Sequence, residues 1–394
     1  MTSIKKNKIY FGAPTIGKEE IVAITKVMKS GWLGFGRVSR DFEKKTAKYV
    51  DSENAIAVSS CTAALHLALI VSGIKKGDEV ITTPLTFIAT IRAIEMAGAK
   101  PILADIDENT LNIDPNNIEA KITIKTKAII PVHFGGMPCD LKEIFAIAKK
   151  FNLKIIEDAA HALGSEYNGK KIGSFKESVT CFSFYPNKNI TSIEGGMLTF
   201  YKDSLINKLD QLRMSGMSSG AWNRFSDKND YKPPVVVDEG FKYNINDVNS
   251  AIGIVQLKKL KKFLDSRRKQ AKVYDKYFTD KDYLNTQSRK HDDSMQIKHS
   301  YHLYTLTLNP KKFEKSRDDI LREIRHAGIG VVIHYKPINK MPYFIEKYGE
   351  ISNLDNSNFV GDNIMSLPIS PKYKIKDIEK VAKKIVSILE KNLL

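Results

Sequence analysis

Three short segments carry side chains whose types and spacing suit chemistry. The first is Lys154-Ile-Ile-Glu157-Asp158-Ala-Ala-His161-Ala, an apolar run ending in two acids, two small residues and a histidine. A carboxylate at the mouth of a buried strand can hold a protonated ring nitrogen or a ribose hydroxyl, ligate a metal, or cap the next helix. The second runs from Phe182-Ser183-Phe184-Tyr185-Pro186-Asn187-Lys188 to Ile193-Glu194-Gly195-Gly196. It sets a hydroxyl, a lysine and a glycine pair on the connection between two apolar runs. A lysine held there is desolvated, which lowers its pKa toward that of a nucleophilic amine. The third, Val58-Ser59-Ser60-Cys61-Thr62-Ala63-Ala64-Leu65-His66-Leu67, reads as a strand, a turn of small hydroxyl residues and a helix start. The free amides and positive dipole end of such a helix suit a phosphate. A plain N-cap by Ser60 or Thr62 is the ordinary alternative.

The elements that must position these residues follow from an alternation over residues 50–200. Ala55–Val58, Glu79–Thr83, Pro101–Ala104, Ala128–Val132, Lys154–Glu157, Thr180–Phe184 and Gly196–Phe200 read as short strands, most of them uniformly apolar enough to be buried on both faces. Thr62–Val71, Ile88–Ala97 and Leu141–Phe151 carry helical spacing between them. The pattern predicts an α/β fold with a mostly parallel central sheet between helices, binding its ligand at the carboxyl ends of the strands. Asn246–Phe278 then reads as one long helix with a strongly basic second half. A strand over Tyr301–Leu308, a helix over Ser316–Ala327, a strand over Gly330–His334 and a closing helix over Ile375–Leu393 predict a smaller C-terminal α/β domain. The expected division is a large domain over 1–250 and a small one over 251–394.

Composition narrows the function. With 394 residues, 42% of them apolar and 27% charged, the chain is neither disordered, nor fibrous, nor a disulfide scaffold. Its three cysteines fit a reducing, cytoplasmic setting. The basic start runs into Ile9-Tyr10-Phe11-Gly12 with no apolar h-region, so no secretory signal is expected. The most apolar window, Ala55–Ile74, contains Ser59, Ser60, Thr62, His66 and Ser72, which fits a strand, a turn and a buried helix rather than membrane insertion. The net charge of +17 leaves nucleic acid and anionic small molecules open. The lysines are scattered, with small knots at 258–262 and 267–269 and no aromatic stripe, so a solvated basic surface is expected and nucleic acid is not. Neither a GxGxxG turn nor a P-loop signature is present, and no histidine or cysteine spacing marks a metal site.

A phosphate site, a ring-binding carboxylate and a Schiff-base lysine are together the parts of a pyridoxal phosphate (PLP) enzyme. The chain resembles the DegT/DnrJ/EryC1/StrS family of nucleotide-sugar aminotransferases, of the fold-type I, aspartate aminotransferase class. The resemblance runs from Gly31-Trp32-Leu33-Gly34 through Ser59–Leu67, Thr86-Phe87-Ile88-Ala89-Thr90, Glu157–Gly164, Phe182–Gly196, Gly240–Leu257 and His334-Tyr335-Lys336-Pro337-Ile338 to Ser366-Leu367-Pro368. It implies Lys188 as the Schiff-base lysine and Asp158 as the partner of the pyridine nitrogen. It further implies Thr62, Ala63 and Ser183 at the cofactor phosphate, Phe87 stacked on the ring and His161 beside it. His334, Tyr335 and Lys336 are implied to border the sugar substrate, with Arg224 as a further cation there.

Three departures stand out. Cys61 and Ile193 occupy positions where the family usually has glycine, and Gly240-Phe241-Lys242-Tyr243-Asn244 replaces Gly-Tyr-Asn-Tyr-Arg. In look-alikes that last segment reaches the partner subunit's cofactor phosphate, which implies a homodimer, with Lys242 contributing charge and Gly31–Arg37 near the boundary. The implied reaction moves an amino group from L-glutamate to a nucleotide-linked 4-keto-6-deoxy sugar, at C4 rather than C3, for a surface polysaccharide or glycan. Related dehydratases carry histidine at the lysine position, so Lys188 favours amino transfer. A non-catalytic regulator is the third reading, and retention of both Lys188 and Asp158 opposes it.

Overall fold

The computed structural model describes residues 9–218, 233, 235–291 and 294–394. The apolar runs of the first half become β1 (Asn54–Val58), β2 (Glu79–Thr82), β3 (Lys100–Leu103), β4 (Thr126–Ile130) and β5 (Lys154–Asp158). Two short strands, β6 (Glu166–Tyr167) and β7 (Lys170–Lys171), precede β8 (Ser178–Ser183) and β9 (Gly196–Phe200). One seven-stranded sheet has the order β1-β9-β8-β5-β4-β2-β3. Only β9 runs against its neighbours, pairing antiparallel with both β1 and β8.

Both faces of this sheet are buried, and alternate residues of each strand choose between them. Ile56, Val58, Val80, Ile130, Ile156 and Leu198 point to one face, under α3 (Cys61–Val71), α4 (Ile88–Met96) and α7 (Ser204–Arg213). Ala57, Ile81, Ile129, Ile155 and Met197 point to the other. That face carries α2 (Arg37–Val50), α5 (Pro115–Ala120), α6 (Leu141–Phe151) and the first half of α8 (Asp247–Phe278); α1 (Lys18–Ser30) lies beyond, against α8. Among the described residues, no helix is long and apolar enough to cross a membrane. The apolar window near residue 65 is the 11-residue buried helix α3 and the strand before it.

The 32-residue helix α8 belongs to two cores. Leu257, Leu260, Phe263 and Leu264 pack into the large one, and Ala271, Tyr274 and Phe278 into the small one. The small core is built on β10 (Leu284–Thr286), β12 (Thr305–Leu308) and β13 (Ile364–Ser366), in the order β10-β12-β13, all antiparallel. Strand β11 (Ile297–Lys298) instead returns to β6 and β7. Helices α9 (Arg317–His326), α10 (Pro342–Tyr348), α11 (Asp355–Asn363) and α12 (Ile375–Lys391) complete the chain.

The expected strand over Gly330–His334 does not form. Val331 N–H turns back to Ile329 O (3.1 Å), and Gly330 is taken by the N-terminal segment, donating to Ile9 O (2.6 Å). The segment's backbone pairs with the sheet only at Val332, by a single bridge to Ser366. The third strand of the small sheet is β13, which the sequence reading leaves out.

Candidate active site

The connections after β1 and β2 and the carboxyl ends of β5 and β8 surround a cavity of about 410 Å³. Asp158 ends β5 and is almost wholly buried. Its Oδ2 accepts from Thr90 Oγ1 (2.7 Å) and its Oδ1 from Ala160 N–H (3.1 Å). Burial raises its pKa above the usual 3.8, and the Thr90 and Ala160 donors, with the charge of Lys188, oppose the rise. One lone-pair position on each carboxylate oxygen remains for a further donor.

Lys188 lies on the β8–β9 connection, its backbone N–H donating to Tyr185 O (3.0 Å) and its side chain lining the cavity. Burial lowers its pKa from 10.5 to about 8, against the opposing pull of Asp158. No side-chain partner of Lys188 is found among the described residues. The turn beyond it explains the glycines and the exception among them. A Cβ on Gly196 would fall 2.3 Å from Ser60 O, so β9 can cross the β1–α3 turn only as glycine. Ile193 sits at φ 69°, a left-handed conformation that glycine adopts without strain and a β-branched residue does not.

At the start of α3, Ser60 Oγ caps the helix by accepting from Ala63 N–H (3.1 Å). Ala63 does not line the cavity, whereas Ser60, Cys61 and Thr62 do. The amides of Cys61 and Thr62 have no partner among the described residues, so the N-cap and the anion site coexist on one turn. Cys61 Sγ turns away toward Cys181 O (3.7 Å), and burial holds its thiol well above the usual pKa.

His161 Nδ1 accepts from Gly135 N–H (3.3 Å). The proton of this imidazole is therefore on Nε2, which donates to Tyr335 Oη (3.2 Å). Burial and the nearby Lys188 charge hold His161 well below 6.5, consistent with a neutral ring. His302 packs against its other side at 4.3 Å between ring centres. His334 Nδ1 pairs with Ser366 Oγ (2.9 Å), and burial lowers its pKa to about 3. It is thus a neutral wall of the site rather than a cation.

Asp158, His161, Thr62, Ser183, Phe87, Lys188, His334 and Tyr335 all line this cavity. Phe87, the N-cap of α4, is 58% exposed at its mouth and is not a core aromatic. Lys336 is exposed and lies outside the lining. Lys242 is likewise exposed, with Nζ donating to Asn244 Oδ1 (2.6 Å), so two of the three departing residues of that segment pair with each other. Its backbone runs beside the phosphate turn, with Tyr243 O accepting from Ser59 N–H (2.6 Å). Arg224 lies outside the described residues. Thr86 and Thr90 also belong to this site without an expected role; their four-residue spacing across a helix start is the signal that sequence offers for them.

These residues fit pyridoxal phosphate: a buried carboxylate with spare acceptor sites, an unpaired amine of lowered pKa, and free amides at a helix start share one cavity. The fold and this cavity define a PLP-dependent enzyme of fold type I. The model of the DegT/DnrJ/EryC1/StrS aminotransferase family matches residues 14–386, and the chain belongs to that family. It is 40% identical over 392 residues to the spore coat polysaccharide biosynthesis protein SpsC of Bacillus subtilis, covering 99% of each chain. Its structure matches Helicobacter pylori PseC, an aminotransferase of pseudoaminic acid biosynthesis, with a TM-score of 0.88 and 28% identity over 98% of this chain and 100% of that one. The PLP form of the putative sugar aminotransferase Spr1654 from Streptococcus pneumoniae matches with a TM-score of 0.87 and 28% identity over 98% and 99%. Its PMP form matches with the same score. The chain is a PLP-dependent sugar aminotransferase.

Proposed function

We propose that the enzyme transfers the amino group of L-glutamate to C4 of a nucleotide-linked 4-keto-6-deoxy sugar, supplying a 4-amino sugar for a surface polysaccharide or glycan in the cytoplasm. The observation that carries amino transfer is Lys188 facing Asp158 across one cavity, with an amine pKa of about 8. The polysaccharide setting is supported by likeness to SpsC, and the sugar acceptor by likeness to PseC. Pyridoxal phosphate, when bound, supplies a ring that accepts the electrons left on the donor's α-carbon.

The chain's own residues do the rest. Asp158 holds a proton at the pyridine nitrogen, which makes the ring an effective electron acceptor. Lys188 Nζ, with part of its population neutral near pH 7.5, takes the α-proton of glutamate and returns it on the cofactor side. The Cys61 and Thr62 amides and Ser183 hold the phosphate. Phe87 covers one ring face at the mouth, while His161 and Tyr335 close the inner wall against water. Lys336 is the cation of the His334–Lys336 segment, because His334 is neutral; facing a diphosphate, it gains charge-assisted hydrogen bonds worth roughly 1.5–3 kcal/mol.

A homodimer with composite sites completes this reading. Leu33, Phe87, Tyr185 and Ile193 leave large apolar surface exposed, and Lys242 projects from the segment beside the phosphate turn. The test of the function is direct. Purified holoenzyme should lose its yellow absorbance on L-glutamate, release 2-oxoglutarate, and regain colour with one member of a panel of UDP-, dTDP- and GDP-4-keto-6-deoxyhexoses. A colourless protein that shifts DNA in a gel at physiological salt would overturn the reading in favour of a regulator.

A further inference from the structure

We propose that Thr90, seconded by Thr86, is a positioning residue that keeps the Asp158 carboxylate ionised and aimed at the cofactor ring. The inference rests on the PLP reading above and extends it to residues with no assigned role. Both hydroxyls are buried, Thr90 completely and Thr86 to 1% exposure. Thr90 Oγ1 lies 2.7 Å from Asp158 Oδ2, and Thr86 Oγ1 lies 2.8 Å from Thr90 Oγ1.

The proton directions follow from chemistry. An ionised carboxylate only accepts, so the Thr90 proton is spent on Asp158. Thr90 oxygen is then the acceptor for the Thr86 proton. A hydroxyl just before the N-cap of α4 and one in its first turn thus form a one-way chain that ends on the carboxylate. With Ala160 N–H on Oδ1, the carboxylate is held at both oxygens and cannot rotate without losing a buried bond.

This chain answers a conflict in the site. Asp158 must stay anionic to keep a proton on the ring nitrogen, yet it lies where burial favours the neutral acid. The groups facing it are Lys188, His133, Tyr335 and the thiols of Cys61, Cys139 and Cys181. Burial keeps all three thiols and the phenol protonated, and Lys188 is the group committed to the reaction. The Thr90 hydroxyl, like the Ala160 amide on the other oxygen, is a neutral donor that does not change charge during turnover.

The experiment uses holoenzyme reconstituted with pyridoxal phosphate labelled with ¹⁵N at the pyridine nitrogen. Thr90→Val keeps the branched shape and loses the donor, while Thr90→Ser keeps the donor. In Thr90→Val the ¹⁵N resonance at pH 7 should move toward the unprotonated pyridine value, as the shared proton shifts to Asp158. The exchange of the glutamate α-proton with solvent should slow by about 10–100-fold, the range for losing a bond to a charged group. Thr90→Ser should keep the wild-type resonance and stay within threefold in exchange. In an Asp158→Asn background, Thr90→Val should add no further loss. A Thr90→Val enzyme with wild-type resonance and exchange overturns the inference, as does an equal loss in Thr90→Ser. A wild-type protein that takes up no labelled cofactor would instead overturn the PLP reading itself.

Discussion

Replacing Lys188 by methionine in cofactor-stripped protein should raise stability near neutral pH, although it abolishes turnover. The amine sits in a walled cavity where burial lowers its pKa from 10.5 to about 8. Between those values the unfolded chain binds more protons than the folded one, so stability rises with pH across that window. The penalty is complete below about pH 8 and vanishes above about 10.5. At 1.36 kcal/mol per pH unit it amounts to about 3 kcal/mol. That shift already includes the attraction of the Asp158 carboxylate; water entering the cavity and relaxation around the amine reduce the cost, so the full sum is an upper bound. A gain of about 1–3 kcal/mol at pH 7 is therefore expected, shrinking toward zero or below by pH 10.5. Urea unfolding of the two apo proteins at pH 7, 8.5 and 10.5, at one fixed protein concentration, reads this difference. A methionine variant that is less stable at pH 7, or a difference constant across the three pH values, would refute the reasoning.

Ile193→Gly should raise the urea midpoint modestly. Relief of the left-handed isoleucine returns roughly 1–2 kcal/mol and the freer unfolded glycine takes back roughly 0.5–1. Lys242→Ala should weaken retention of pyridoxal phosphate on dialysis while leaving the apo melting temperature within a degree or two. The homodimer itself is checked by sedimentation at assay dilution; a monomer with full activity would remove the composite-site proposal.

The central sheet was legible because its strands are buried on both faces, so each carries a short apolar stretch, such as Ile155-Ile156 in β5 and Ala128-Ile129-Ile130 in β4, with no polar face alternating along it. Asp158 was legible because it ends an apolar strand, and Lys188 because it sits on a loop between two of them; Phe87 was named only by the family resemblance. What stayed hidden was long-range or backbone-determined. The bond between Thr90 and Asp158 spans 68 residues of sequence, and no local pattern announces it. Ala63 was expected at the phosphate, but its amide is consumed by the Ser60 cap, a detail of one turn. Gly330–His334 has the composition of a strand, yet apart from the Val332–Ser366 bridge its backbone bonds go to the N-terminal segment and to its own turn. The pairing of Lys242 with Asn244 joins two departures that the sequence presents separately.

The long helix α8 has a consequence for how the chain is made and how it fails. Its 32 residues extend about 48 Å at 1.5 Å per residue, and its two halves complete different cores. A cut between residues 250 and 251 would strip Leu257, Leu260, Phe263 and Leu264 from the large core, so neither fragment would keep a closed apolar interior. During synthesis the large sheet must wait, partly uncovered, until residue 264 has left the ribosome, long after β9 is complete. The nascent chain therefore has a window of exposure to chaperones and to aggregation that ends only when this helix docks. Once it has docked, loss of either half unseats the other, and a single melting transition should serve both ends of the molecule.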